Sequence, residues 1–274
     1  MLRIPEASCS QKTRAGRMEG FCMLLNRMAH PCQLKSMVRI FGRSISEISL
    51  IVNYMLDYIY DEFCMEKLSA MDRQNWVTNN LAEFANAVSN QGSPLPNCVC
   101  FIDGTVRPIS RPTYLQREVY SGHKRTHGLK YQSVVTPNGL VAEMSGPYPA
   151  RRHDSWVMAQ TQLLERLGNL PGDVYGYGDP AYNLSPNLLC PYKGAELSNT
   201  QKDFNAAMSS VRVCVEWVFG KITNLWPYID NKKSQNLYKQ PLAKQYLVCT
   251  FLTNLHTMDR WIRDAHIDCL KCII

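Results

Sequence analysis

The stretch CVCFIDGT, residues 98–105, decides how the rest of the chain is interpreted. A short continuous apolar run that ends in an acid is typical of a β-strand buried on both faces. The stretch DVYGYGD at 173–179 repeats this arrangement and ends in Asp179. If the two strands are neighbours in one sheet, the side chains of Asp103 and Asp179 project from adjacent strand ends. A carboxylate that is buried without a partner is unfavourable, so both positions are candidates for a functional site.

A third acid lies on the helix that is predicted over residues 199–225. Apolar residues at steps of three and four form the core stripe of this helix: Phe204, Met208, Val211, Val215 and Val218. The helical period places Glu216 on the flank of that stripe, beside Arg212, where it faces the margin of the sheet. Two interpretations remain open from the spacing: a metal-binding carboxylate, or a structural salt bridge from Glu216 to Arg212 four residues earlier.

Carboxylates held by rigid elements are what divalent-metal cleavage of a phosphodiester requires. Mg²⁺ takes hard oxygen ligands and keeps several waters, so three or four acids suffice. Two such ions about 4 Å apart activate water, stabilise the anionic phosphorus centre and assist the departing alkoxide. Asp154, in the stretch RRHDS, is a fourth candidate, and helix N-capping explains it equally well. The residues therefore predict a metal-dependent nuclease site with Asp103, Asp179 and Glu216 at its centre.

The stretch from 107 to 130 forms a local positive region in which Glu118 is the single acid. Tyr114 and Tyr120 interleave the basic residues, a pattern that suits phosphate contacts with some base stacking. A solvated loop between strands is the alternative interpretation. The candidate DNA-binding residues, which extend beyond this stretch toward the acids, are Arg107, Arg111, Lys124, Arg125, Lys130, Arg151 and Arg152.

Strand and helix patterns alternate between and after these motifs. KYQSVVT and LVAEMSG, joined by the turn residues 137–139, predict a β-hairpin. A helix is predicted over 154–167, and a last amphipathic helix over 241–262. The predicted fold class is α/β: a mixed sheet with flanking helices, preceded by an α-helical N-terminal region.

The chain before the α/β region divides into an arm and a helical region. The first residues are polar and basic without periodicity, which predicts a disordered arm. In the helical region Ser44 and Glu47 have the spacing of a capping box. Its helices suit a helix-turn-helix unit or a plain structural bundle, and we favour the bundle. QGSPLPN at 91–97 marks the boundary. The predicted organisation is an arm over 1–18, helices over 19–90, the α/β domain over 98–262 and a tail over 263–274.

The totals of the chain limit the classes of protein that it can represent. With 274 residues and 45% hydrophobic content, a sizeable core can form. The formal net charge of +7 favours a polyanionic partner such as nucleic acid. The 11 cysteines are scattered, which favours reduced thiols inside a cell, and Cys269 with Cys272 lacks the second pair that zinc needs. A membrane helix needs about eighteen apolar residues in a row, and no such run occurs.

Several ordered blocks resemble Harbinger-type DDE transposases and their domesticated nuclease relatives. The blocks are FIDGT at 101–105, GHKRTHGLKYQ at 122–132, RRHDS at 151–155, YGDPAY at 177–182 and FNAAMSSVRVCVEWVFGKI at 204–222. The resemblance extends from about Phe21 to beyond Trp226, because the upstream helical segment is also similar to the region that precedes that catalytic domain. One departure is Asn183, where relatives often carry proline.

The resemblance implies an RNase H-like core with Asp103, Asp179 and Glu216 as the acidic triad. It also implies Asp154 as an additional ligand of Mg²⁺ or Mn²⁺ in a two-metal site. The implied activity is DNA cleavage in the nucleus, with the cytoplasm as a second location, a separate Myb-like protein for sequence-specific binding, and oligomerisation left open. The alternatives are a catalytically silent, DNA-associated or partner-binding protein, and an inert α/β domain fused to a helical interaction module.

Overall fold

A computed structural model describes residues 3–264 of the chain. The strands are β1 (Ala7–Ser8), β2 (Arg14–Ala15), β3 (Cys98–Pro108), β4 (Tyr120–Ser121), β5 (Thr126–Val135), β6 (Val141–Pro149), β7 (Tyr175–Gly178) and β8 (Leu188–Leu189). The helices are α1 (Arg17–Ala29), α2 (Leu34–Phe41), α3 (Ile45–Ile59), α4 (Met65–Lys67), α5 (Asn75–Thr78), α6 (Leu81–Asn90), α7 (Asp154–Gln160), α8 (Leu163–Gly168), α9 (Asn199–Leu225) and α10 (Leu242–Asp264). None of the helices described within this range is long and apolar enough to cross a membrane.

A mixed sheet lies at the centre of the molecule. Strand β3 pairs antiparallel with β5 on one side and parallel with β7 on the other. Beyond β7 lies β8, which is parallel to it, and β5 also pairs with β6 as the predicted hairpin. The hairpin turn contains Gly139 in the left-handed region, at a φ of 75°. The predicted fold class, an RNase H-like mixed sheet with flanking helices, is confirmed.

Both faces of β3 are covered, as its continuous apolar sequence predicts. Phe101 belongs to a core that contains side chains of α1, α3, α9 and α10. Ile102, whose side chain points to the opposite face, belongs to a second core with side chains of α6 and α8. The sheet is therefore sandwiched between two helical layers, and the acid that follows Ile102 lies where this apolar run ends.

The N-terminal helices share a core with the sheet. Met23 of α1 and Met55 of α3 pack in the same cluster as Phe101 of β3. Helix α3 begins with the predicted capping box, in which Ser44 Oγ accepts from the Glu47 amide at 3.3 Å and Glu47 Oε2 accepts from the Ser44 amide at 3.0 Å. The stretch 91–97 separates α6 from β3 in sequence, but the apolar core is continuous across that boundary.

Residues 3–18 include a short β-hairpin, whereas the sequence predicted a disordered arm over 1–18. Strands β1 and β2 form a short antiparallel hairpin, and its Ala7 and Ala15 are 1% and 5% exposed. The hairpin packs against α3, and the Tyr58 hydroxyl donates to the Arg3 carbonyl at 2.8 Å. The small alanine side chains carry no periodic signal, so only their packing partner reveals that this segment is buried.

Two boundaries differ from the sequence prediction. The helix predicted over 154–167 is interrupted because Thr161 is extended, with φ of −94° and ψ of 149°, and this separates α7 from α8. Helix α10 starts directly after the predicted first-turn proline and reaches Asp264. Most of the predicted tail, with Cys269 and Cys272, lies outside the described residues.

Candidate active site

The parallel pairing of β3 and β7 brings two of the predicted acids together. Ile102 is the register partner of Gly178, and each is followed in the chain by an aspartate. Neighbouring strands lie about 4.8 Å apart, so Asp103 and Asp179 lie side by side. Asp179 directly follows β7, whereas β3 continues through Asp103 to Pro108, so the prediction that Asp103 ends its strand is wrong. The two acids, far apart in sequence, therefore meet where β7 ends beside the middle of β3.

Asp103 is the most enclosed of the candidate acids. Its side chain is 17% exposed, its Oδ1 accepts from the Gly104 amide at 2.8 Å, and its Oδ2 accepts from Arg212 Nη1 at 3.2 Å. Burial raises the pKa of Asp103 to about 6, and the negative charges of Asp179 and Asp154 contribute to that rise. The Arg212 guanidinium and the Gly104 amide act in the opposite direction. Three acids thus lie near enough to affect one another electrostatically.

Asp154 lies beside Asp103 across Gly104. A Cβ atom at position 104 would lie 2.5 Å from Asp154 Oδ1, so any other residue would displace that carboxylate from its present position. Asp154 Oδ1 also lies 3.0 Å from Lys130 Nζ. The N-cap of α7 is His153, without a side-chain capping bond. The N-capping interpretation of Asp154 is therefore wrong, and its carboxylate is directed toward the other acids.

Asp179 is held in a tight turn that also buries a tyrosine. Its Oδ1 accepts from the Ala181 amide at 2.7 Å, and its carbonyl accepts from the Tyr182 amide at 3.0 Å. The Tyr182 ring is fully buried, and its hydroxyl accepts from Gln132 Nε2 at 3.1 Å. Burial raises the pKa of Tyr182, and Asp154, Asp103 and Asp179 raise it further. Tyr182 was missed by sequence reasoning, although the block YGDPAY contains it.

Glu216 does not converge with the three aspartates. Its side chain is 60% exposed, and its Oε1 lies 3.8 Å from Arg212 Nη2. The same guanidinium donates from Nη1 to Asp103, so Arg212 lies between the strand acid and the helix acid. The salt bridge to Arg212, which the spacing left open as an alternative, is present.

The carboxylates are chemically suitable ligands for a divalent cation, but their positions in the structure are not those of a formed metal site. Carboxylate oxygens are the hard ligands that Mg²⁺ and Mn²⁺ prefer, and a cation relieves repulsion among acids. In the part of the chain that the structure describes, no group of three or more histidine, cysteine, aspartate or glutamate side chains is placed to hold a metal ion. Metal binding therefore requires the aspartates to turn toward one another, and Glu216 must leave Arg212 to join them.

The predicted DNA-binding residues fall into two groups. Four have charged or aromatic partners within the chain: Arg107 with Asp230 and over the Tyr246 ring, Lys130 with Asp154, Arg151 with Glu118 at the surface, and Arg152 over the Trp156 ring. Three are exposed, namely Arg111, Lys124 and Arg125, and none of these forms an ion pair with an acid in the described residues. The exposed group is therefore free to contact a polyanion.

Comparisons with known proteins place this site in a family context. The family described as DDE superfamily endonuclease matches residues 102–254, which include all four candidate acids. The chain is similar to "Protein ALP1-like" of Arabidopsis thaliana, with 25% identity over 178 residues that are 60% of this chain and 44% of that protein. It is also similar to "Probable transposase for insertion sequence element IS702" of Microchaete diplosiphon, with 28% identity over 119 residues that are 43% of each chain. The chain thus spans less than half the length of these relatives. No solved structure matches it.

Proposed function

The chain belongs to the DDE superfamily endonucleases, in a Harbinger-type, transposase-derived family, and from this premise we propose that it is a divalent-metal-dependent DNA endonuclease. The observation that carries the proposal is the proximity of Asp103, on β3, to Asp154 and to Asp179, which directly follows β7. A carboxylate whose pKa is raised by burial and by neighbouring acids, as at Asp103, is unfavourable for the fold alone and is a candidate for a functional site. The proposed catalytic domain covers 98–262.

In this proposal each acid has a stated role. Asp103 and Asp179 hold Mg²⁺ or Mn²⁺, Asp154 is an additional ligand, and Glu216 completes a two-metal set. A bound divalent cation supplies an activated water and neutralises charge on the phosphate. Because its pKa is about 6, Asp103 is ionised at neutral pH and is then able to bind a cation. The Asp179 turn and the buried Tyr182 fix the end of β7 beside Asp103.

Arg212 balances the charge of the acids in the cation-free protein. Its guanidinium lies 3.2 Å from Asp103 Oδ2 and 3.8 Å from Glu216 Oε1, so one positive charge is shared between two carboxylates. Arg212 therefore supplies positive charge between β3 and α9 while no metal ion is bound. Loading of the site requires the guanidinium to release at least one of these two carboxylates.

The proposed biological setting follows from the family and goes beyond the chain itself. The substrate is DNA, the location is the nucleus with the cytoplasm as a second compartment, and a Myb-like protein supplies sequence-specific binding. The transposase name of one relative supports DNA as the substrate. The N-terminal helices contribute protein contacts in this proposal, and a homo-oligomer is compatible with it.

A second candidate function is a catalytically silent, DNA-associated or partner-binding protein. The observation that favours it is the exposed Glu216, which is paired with Arg212 and stands apart from the aspartates. A protein that had lost catalysis would have no need to release that pair. The two functions share a fold and differ in whether the acids bind metal.

Nicking of supercoiled plasmid in the presence of Mn²⁺ tests the endonuclease. The wild type should convert plasmid to the open circle, EDTA should abolish the conversion, and Asp103→Ala should lower the rate by at least about 100-fold. Asp203→Asn, which changes an exposed acid near the start of α9, is the matched control and should retain the wild-type rate. Equal rates for the wild type and Asp103→Ala, or no nicking by either, would reject the proposal in favour of the silent protein.

A further inference from the structure

The segment between the end of α9 and the start of α10 is fastened to the loop that follows β3. The Ser110 amide donates to the Gln235 carbonyl at 2.8 Å, and Ser110 Oγ donates to the Lys232 carbonyl at 2.6 Å. Gln235 is 3% exposed, and its side-chain amide donates to the Tyr228 carbonyl at 2.8 Å. Backbone and buried polar groups thus fix this segment and leave the side chains of Lys232 and Lys233 exposed.

Positive charges from two distant parts of the chain meet at this junction. Burial lowers the pKa of His127, and the nearby charges of Arg111 and Lys232 lower it further. Lys232 Nζ donates to Thr126 Oγ1 at 3.3 Å, which places the lysine beside the β4–β5 turn with Lys124. Throughout residues 3–264, no acid forms an ion pair with any of these cations. Uncompensated like charges at short range favour an anionic ligand.

Exposed aromatic rings lie among these cations. Tyr114 is 72% exposed and Tyr238 is 56% exposed, and their ring centroids are 6.3 Å apart. The Tyr238 hydroxyl also donates to the Tyr114 carbonyl at 3.5 Å, which joins the two segments. Tyr120, which is 42% exposed, contacts the His127 ring with centroids 5.1 Å apart. Exposed rings that cluster on one surface are typical of a binding site.

Phosphates and exposed base faces are the chemistry that suits such a surface. Basic side chains bind the phosphates of any nucleic acid, but rings can stack only on bases that are unpaired. We propose that the exposed parts of 110–127 and 231–239, hereafter the tyrosine–lysine surface, bind single-stranded DNA. The choice of DNA rests on the proposed function, whereas the binding itself requires neither metal nor cleavage.

The position of the tyrosine–lysine surface relates it to the acids. Strand β3 connects Asp103 to Pro108, and Ser110 follows two residues later. At about 3.3 Å per residue the surface lies roughly 20 Å from Asp103 along the strand direction. A strand separated next to the cleaved bond could therefore reach the surface, which would hold unpaired nucleotides at a fixed distance from the acids.

Fluorescence anisotropy in EDTA with a short single-stranded oligonucleotide tests the surface. Tyr238→Ala should weaken binding by about tenfold, because one stacked base contributes about 1–3 kcal/mol and 1.4 kcal/mol corresponds to tenfold. Tyr238→Phe, which keeps the ring, should bind within about twofold of the wild type. The double variant Lys232→Ala/Lys233→Ala should reduce the slope of log affinity against log salt by about 1.4.

The matched control changes two exposed basic residues on another face, Lys35→Ala/Arg39→Ala on α2, and it should retain both the affinity and the slope. The proposal is overturned if Tyr238→Ala binds like the wild type, if the control weakens binding as much as Lys232→Ala/Lys233→Ala, or if a duplex of the same sequence binds more tightly. Because EDTA removes divalent metal, binding of single-stranded DNA by the tyrosine–lysine surface can be detected even if plasmid nicking fails. Nicking can likewise succeed even if this surface does not bind single-stranded DNA.

Discussion

Lys124 and Lys130 stand six residues apart in one basic stretch, yet they have different surroundings. Lys130 is 8% exposed, and its Nζ lies 3.0 Å from Asp154 Oδ1 and donates to the Arg152 carbonyl at 2.6 Å. Lys124 is exposed in the β4–β5 turn and forms no ion pair with a described acid. One lysine therefore supports the acid site, and the other is available to a ligand.

The presence or absence of an acidic partner also distinguishes Arg212 from Arg111 and Lys232. Arg212 and Lys130 form ion pairs with the candidate acids Asp103 and Asp154, whereas Arg111 and Lys232 both lie near His127 and form no ion pair with an acid within residues 3–264. Charge in the sequence thus does not indicate whether a residue stabilises the fold or binds a polyanion. The presence of a buried acidic partner decides between the two roles, and substitutions can test that rule.

The largest expected effect is on stability, from removal of the buried lysine. Lys130→Met leaves the Asp154 carboxylate without its cation beside two other acids. Breaking a buried ion pair from one side costs about 3–5 kcal/mol, and partial exposure of Asp154 lowers the expected loss to about 2–3 kcal/mol. Urea unfolding followed by circular dichroism measures it.

Lys124→Met is the matched control, because it removes the same charge from an exposed position. Its free energy of unfolding should stay within about 0.5 kcal/mol of the wild type. Equal losses for Lys124→Met and Lys130→Met would contradict the division into paired and free cations.

The next effect on stability concerns Asp103, whose negative charge is only partly neutralised by Arg212. The folded-state pKa of Asp103, about 6, exceeds its ordinary value of 3.8, so the folded protein favours the protonated acid. That contribution to stability is present below pH 4 and is lost as the pH rises through 6. Asparagine does not ionise, so Asp103→Asn avoids this loss of stability. At pH 8 in EDTA the free energy of unfolding of the variant should exceed that of the wild type by about 2 kcal/mol.

The advantage of Asp103→Asn should shrink toward zero near pH 4, where the wild-type acid is protonated too. Thermal unfolding at both pH values provides the measurement. A variant that is less stable at pH 8 would show that the bond from Arg212 to Asp103 outweighs the burial and the repulsion.

The smallest effect is expected at the exposed cations of the β4–β5 turn. Lys124→Ala/Arg125→Ala should leave unfolding unchanged, while the slope of log affinity for duplex DNA against log salt falls by about one to two. Fluorescence anisotropy over a range of salt concentrations measures it. A slope that equals that of the wild type would remove these two residues from the DNA-binding surface.

The sequence predicts those parts of the fold that depend on neighbours along the chain. The capping box at Ser44, the turn around Gly139 and the buried run that ends in Asp103 are local patterns, and the structure contains all of them. The predicted meeting of Asp103 with Asp179 required β3 and β7 to be adjacent, which local periodicity does not determine. The family resemblance supported that adjacency, and the register of the two strands bears it out.

The features that the sequence did not predict depend on partners remote in the chain. Ala7 is buried because α3 lies against it, and Lys130 is buried because Asp154 reaches across Gly104 to it. The junction of Ser110 with the segment around Lys232 joins residues more than a hundred positions apart. An isolated lysine within the apolar strand β5 was the one available signal that Lys130 has an internal partner.

Gly104 shows that the acid site depends on empty volume as well as on charge. A single methyl group there would lie 2.5 Å from Asp154 Oδ1, too close for that carboxylate to keep its position. Alanine at this position would alter no ionisable group, yet it would push one acid away from its neighbours. Gly104 is therefore a determinant of the site. The FIDG block supplies both the acid Asp103 and the space that the Asp154 carboxylate occupies beside it.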